Sequence, residues 1–188
     1  MLRFTFDTNA IVDLEEGRPA APHIRQLIDA HEHGQADVAL VAISASEKQR
    51  GAPISNFLDF KDKLSRIGLD HLTLLKPIAH FDLTFWDWSL WSSDAIAAQA
   101  QRIHDVLFST VPYMTTTTRD DEGDKAAEYW KWRNAKCDVL AMWSHINEGR
   151  DVFVTRDDNF MKATKRPALV ELGAGKILTP ADAVALLS

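Results

Sequence analysis

Four carboxylates far apart in the 188-residue chain, Asp7, Glu47, Asp138 and Asp157, have the residue type and the local context to share a divalent cation. Acids gathered without a cation raise one another's pKa, because like charges in one site oppose ionisation. Hard oxygen donors favour Mg²⁺ or Mn²⁺, and no Cys or His has a spacing that would prefer zinc. An ion held this way activates a water and steadies the charge that develops when a phosphodiester is cut.

Each acid also has a structural reading. Asp7 can end a strand in a turn. Glu47 can close a capping box with Ser44, and Asp157-Asp158-Asn159 can turn the chain and cap a helix. Asp138 is the sharpest of the four, because Asp is a poor residue inside a helix and Ala135, Val139 and Met142 flank it. A carboxylate buried among such neighbours needs a partner.

The acids depend on the elements that carry them. Leu2 to Phe6 alternates apolar and polar residues, which predicts a strand delivering Asp7-Thr8-Asn9 to a helix cap. Pro22 opens a helix with Ile24, Leu27 and Ile28 on one face, stopped at Gly34. Asp37 to Ile43 is a continuous apolar run, the mark of a strand covered on both sides, and Ser44 is expected to cap the helix after it. Another helix is expected from Ile54 to Ile67, then a third strand from His71 to Leu75. Asp94 is the expected cap of a helix bearing Ile96, Ile103, Val106 and Leu107.

Val111 to Asp124 has the composition of an exposed loop. A long helix from about Lys125 to Asn147 carries Asp138, and Val152-Phe153-Val154 is a buried strand just before Thr155-Arg156-Asp157. Lys176 to Leu178 makes a last strand, and Thr179 caps a closing helix from Ala181 to Leu187. Strands alternating with helices imply an α/β protein, a parallel sheet with helices on both faces. Function in such sheets gathers at the carboxyl ends of the strands, where Asp7 and Asp157 fall.

Composition sets the outer limits. The chain is 46% hydrophobic and 26% charged, as expected of one globular domain over residues 1–188. No apolar run approaches the roughly 20 residues of a membrane span, so no membrane association is expected. Asp7 comes too early for a signal-peptide hydrophobic region, and the single Cys137 excludes an internal disulfide. A cytoplasmic setting is the expectation. The net charge of −6 argues against a protein that coats nucleic acid, but not against an enzyme that cuts it. His31 and His33 are expected at a surface helix end.

The same residues resemble the PIN-domain family, which includes the toxin ribonucleases of bacterial VapBC-type toxin–antitoxin pairs. The likeness rests on Phe4-Thr5-Phe6-Asp7-Thr8-Asn9, on Ser46-Glu47 after the second strand, and on Cys137-Asp138 in a helix preceding a strand. It closes with Val154-Thr155-Arg156-Asp157-Asp158-Asn159-Phe160, similar to the family's Thr-x-Asp-x-x-Phe segment and the most specific piece. The resemblance implies a three-layer α/β/α sandwich with a mainly parallel sheet of about five strands. It implies that Asp7, Glu47, Asp138 and Asp157 hold one or two Mg²⁺ or Mn²⁺ ions, with Asn9 and Thr155 as supporting polar residues. It also implies an RNA substrate, and family members are often homodimers neutralised by an antitoxin protein. Two features depart from the pattern. A helical or loop insertion is expected over about 78–124, and Asp158 adjoins Asp157, although the Thr-x-Asp register favours Asp157.

Two further signals stay open on sequence alone. Phe81, Phe85, Trp86, Trp88 and Trp91 either stack RNA bases or pack an added helical layer or dimer interface; Phe81, Phe85 and Trp88 recur at helical spacing. Arg156, beside the acids, is a candidate phosphate contact, while Lys162, Lys165 and Arg166 fit a solvated helix face equally well. The competing functional reading is a catalytically silent PIN-like module that binds RNA or protein. An aspartyl phosphatase is disfavoured, because no second acid stands two residues after Asp7.

Overall fold

A computed structural model describes residues 1–45 and 57–187, and it shows one five-stranded, all-parallel sheet. The strands are β1 (Leu2–Phe6), β2 (Ala36–Val41), β3 (Thr73–Leu75), β4 (Val152–Val154) and β5 (Lys176–Leu178), in the spatial order β3-β2-β1-β4-β5. Register is even across the middle: Phe6 lies opposite Leu40 on one side and Val154 on the other, and Val154 lies opposite Leu178. The central strands therefore end at one level.

Because β1 is covered on both faces, its side chains alternate between two cores. Phe4 and Phe6, with Val38, Leu40, Val152 and Val154, pack against helices α1 (Thr8–Glu15), α2 (Ala21–Glu32), α3 (Phe57–Arg66) and, far along the chain, Pro180–Val184. On the opposite face Val41, Phe153 and Ile177 meet α4 (Asp94–Leu107), α5 (Gly123–Asn147) and the short helices α6 (Asp158–Met161) and α7 (Arg166–Leu169); Pro180–Val184 is α8. This is the α/β sandwich with a parallel sheet of five strands that the alternation of elements predicts.

Thr5, at the centre of β1, points into the second core and is fully buried. Its hydroxyl lies 2.8 Å from Nδ1 of His145, whose Nε2 lies 2.9 Å from the carbonyl oxygen of Ala174. The Ala174 carbonyl can only accept, so Nε2 carries a proton, and in the neutral ring Nδ1 accepts from the Thr5 hydroxyl. Burial holds His145 down to about 4. At the other end of the sheet the Arg150 guanidinium donates to the Phe4 and Asp37 carbonyl oxygens and pairs with the Asp37 carboxylate at 3.0 Å. That closes the amino ends of β1 and β2, away from Asp7.

Several expectations need correction. The apolar run from Asp37 to Ile43 is strand only to Val41, and Ala42–Ala45 is a 3₁₀ turn in which Ser44 bonds the Thr8 hydroxyl at 2.7 Å. The cap of α4 is Ser93, which accepts from the Ile96 N–H, and Asp94 is the first helical residue. The Phe81–Trp91 stretch is not a helix. Asp82 sits at φ 59, a left-handed conformation that no α-helix interior accommodates, and only Trp86–Trp88 makes a 3₁₀ turn. Phe85 and Trp88 pack on Phe57, the Trp88 ring stacking at 5.0 Å, while Phe81, Trp86 and Trp91 face solvent. Within 78–124, α4 delivers Ala100, Ile103 and Leu107 to the second core. No helix among the described residues is long and apolar enough to cross a membrane.

Candidate functional site

Chain growth reverses between β1 and β4: β2 and β3 extend the sheet to one side of β1, and β4 and β5 to the other. Loops leaving such neighbours diverge and open a crevice at the strand carboxyl ends. Asp7 is the first residue after β1 and Thr155 the first after β4. The ladder continues one step into both, because the Asp7 N–H donates to the Val154 carbonyl at 3.1 Å and the Thr155 N–H to Leu178 at 2.9 Å. Even register thus brings two residues separated by most of the chain side by side.

Asp7 is buried at 4% exposure, and its carboxylate is held by three donors. Oδ1 accepts the Thr8 N–H at 2.7 Å; Oδ2 accepts the Thr155 hydroxyl at 2.7 Å and the Asn9 side-chain amide at 2.9 Å. An ionised carboxylate offers about four acceptor positions, so a place remains for a cation or a water. Burial pushes Asp7 up to about 6; the hydrogen bonds from Thr155 and Thr8 oppose this, and the charge on Asp157 reinforces it.

Thr155 bridges the two acidic loops. While donating to Asp7 it accepts the Asp157 N–H at 3.0 Å and the Asn9 amide at 3.0 Å. Asp157 is half-buried and caps α6, its Oδ1 accepting from the Asn159 N–H at 2.7 Å. Asp158 begins α6 and is exposed. Asp157 is therefore the one of the two whose charge acts on Asp7.

Asp138 lies in the half of α5 where Ala135, Cys137, Val139 and Leu140 are buried, and it is itself half-buried. Its charge and that of Asp157 both act on Lys165, in the turn between α6 and α7. Asp7, Asn9, Thr155 and Asp157 are thus joined by direct hydrogen bonds, whereas Asp138 is linked to Asp157 only in that both charges act on Lys165. Glu47 lies outside the described residues, as does its capping-box reading. Among the described residues, no three acids, histidines or cysteines stand close enough to form a full ligand set. The donors still suit a hydrated ion, since Mg²⁺ keeps several waters and takes one or two carboxylates.

Arg156 is turned to Asp13. Its Nε and Nη2 donate to the two carboxylate oxygens at 2.6 and 2.5 Å, and its backbone N–H donates to Asn9 at 3.3 Å. The phosphate contact expected of Arg156 thus competes with an ion pair that ties the loop after β4 to α1. Sequence reasoning missed Asp13, though the signal was present: an acid inside a helix among Ile11, Val12 and Leu14, the pattern that singled out Asp138.

A separate cleft of about 440 Å³ opens along α5, lined by Thr115, Thr116, Thr117, Lys131 and Trp132. Lys131 stands seven residues before Asp138, two helical turns along the same face.

The fold and this crevice define an α/β protein with a carboxylate-lined site at the point where strand order reverses. A scan against protein-family models and searches of curated proteins and of solved structures found no match.

Proposed function

We propose that this protein is a Mg²⁺- or Mn²⁺-dependent endoribonuclease. The observation that carries the reading is the Thr155 hydroxyl, which donates to the Asp7 carboxylate and accepts the Asp157 backbone N–H, tying the two acidic loops together at the β1/β4 crevice. Burial, reinforced by the charge on Asp157, raises the Asp7 carboxylate to about 6, and a cation beside the two acids would favour their ionised forms. The likeness of Phe4 to Asn9 and of Val154 to Phe160 to PIN-domain ribonucleases points to RNA as substrate.

Asp7 and Asp157 would hold the ion, with Asp138 and Glu47 acting on it directly or through its waters. When bound, such an ion supplies a water of lowered pKa and a positive charge for the phosphate oxygens. The chain's own residues do the rest. Thr155 and Asn9 keep the Asp7 carboxylate from rotating. Water oxygen would form a bond to phosphorus as the bond to the leaving ribose oxygen breaks, the water proton passing to a carboxylate and the leaving oxygen taking a proton from solvent.

A bound divalent ion fits this role in a chain of net charge −6, since a local cation suffices where a basic surface is lacking. An antitoxin partner and a homodimer are part of the same proposal, resting on the family likeness. The test is cleavage of a single-stranded RNA with and without Mn²⁺, by the wild type and by Asp7→Asn and Asp138→Asn variants of unchanged circular dichroism. Metal-stimulated cleavage lost in both variants is the expected result. Equal cleavage by all three proteins rejects the reading and leaves a binding module.

A further inference from the structure

We propose that Lys165 is a resident cation of this acid site, standing where a second metal ion would otherwise be needed and presenting its ammonium to the phosphate being cut. The inference rests on the nuclease reading above. The Lys165 Nζ donates to the carbonyl oxygen of Leu107, the last residue of α4, and to Oδ1 of Asn159. The Asn159 N–H in turn donates to Asp157 Oδ1 at 2.7 Å, so the ammonium is one side chain removed from a site carboxylate. Burial and the neighbouring Lys162 hold the Lys165 ammonium below its ordinary range, and the charges of Asp157 and Asp138 oppose this.

The position is built rather than incidental. A helix carboxyl end carries partial negative charge and favours a cation there, which α4 provides through Leu107. Within the run Lys162, Lys165 and Arg166, the outer two are exposed, and Lys165 is half-buried. An ammonium has three donors, and two are used among the described residues. The third is available to a phosphate oxygen. The Asn159 side-chain nitrogen, buried and without a partner among the described residues, is a second donor at the same place.

A resident cation has a signature that a merely structural lysine lacks. Removing its charge should strengthen metal binding while it slows cleavage. The experiment is calorimetric titration with Mn²⁺ together with single-stranded RNA cleavage at saturating Mn²⁺, for the wild type, Lys165→Gln and Lys165→Arg. The wild type should bind one Mn²⁺ per chain. Lys165→Gln, which can still donate to Leu107, should bind Mn²⁺ about threefold more tightly or take a second ion, because a repelling charge has gone. It should cleave about tenfold more slowly, through loss of a charged donor to the phosphate. Lys165→Arg should keep both properties near wild type.

Two ions per wild-type chain overturn the inference, whatever the variants do. So does a Lys165→Gln variant that loses affinity and rate together, or neither. If the wild type binds Mn²⁺ in an Asp7-dependent manner and cuts RNA while Lys165→Gln matches it, the nuclease reading stands and this inference falls. If the wild type neither binds nor cuts, both fall.

Discussion

Arg156 grips Asp13 at two points, 2.6 and 2.5 Å, across the gap between the loop after β4 and helix α1. The Asp13 side chain is fully buried, while the Arg156 side chain is 38% exposed. The pair is asymmetric: losing the arginine strands a charge in the interior, whereas losing the acid leaves a cation able to reach water. Arg18 stays 3.7 Å from Asp13 and offsets part of the loss.

Arg156→Ala should therefore destabilise the fold by about 3 kcal/mol, and Asp13→Asn by less. Adding Asp13→Asn to Arg156→Ala should recover part of the loss, because the stranded charge is gone. Urea unfolding of the three variants measures this. Additive losses in the double variant would show that the two side chains do not interact.

Stability against pH should carry two opposed slopes. Asp7 keeps its proton to about 6 in the fold against 3.8 when free, so between those values the folded chain binds the extra proton. Its contribution is intact below 3.8 and lost as pH rises through 6. His145 is held to about 4 against 6.5, so there the unfolded chain binds the extra proton. Its contribution is intact above 6.5 and lost as pH falls towards 4. Each is worth roughly 3 kcal/mol, and over the shared window they offset one another. Asp7→Asn should uncover stability that rises from pH 4 to 6, and His145→Gln stability that falls. Unfolding midpoints across that range read both slopes, and identical profiles for the two variants would contradict the assignment.

Thr155 should matter through its hydroxyl rather than its methyl group. Thr155→Ala removes a donor to Asp7 and an acceptor for the Asp157 N–H, leaving buried groups unmet at a cost of about 1–3 kcal/mol. It should also push Asp7 further up, moving the acidic limb of any metal-dependent cleavage to higher pH. Thr155→Ser should leave that limb in place. A limb unmoved in Thr155→Ala would mean that Thr155 does not set the state of Asp7.

The sheet was legible because its strands are short apolar runs ending in the residues that matter: Leu2–Phe6 before Asp7, and Val152–Val154 before Thr155. Asp138 was legible as an acid with buried neighbours. What sequence could not convey is direction. Arg156 and Lys165 belong to one basic run, yet one turns to Asp13 in α1 and the other to Leu107 in α4, choices set by packing between elements remote in the chain. The aromatic stretch misled for a local reason, since helical spacing of Phe81, Phe85 and Trp88 is broken by the left-handed backbone of Asp82. Asp13 was readable by the rule that found Asp138.

The central claim is that acids from separate elements share one divalent ion, and the direct measurement is the loss of free Mn²⁺ signal by electron paramagnetic resonance as protein is added. The wild type should remove Mn²⁺ saturably, Asp7→Asn should remove essentially none, Asp157→Asn should bind about tenfold or more weakly, as expected when a charged ligand is lost, and Asp138→Asn should bind more weakly than wild type but by less. Mn²⁺ uptake that is the same in all four folded proteins would contradict an ion shared by Asp7 and Asp157.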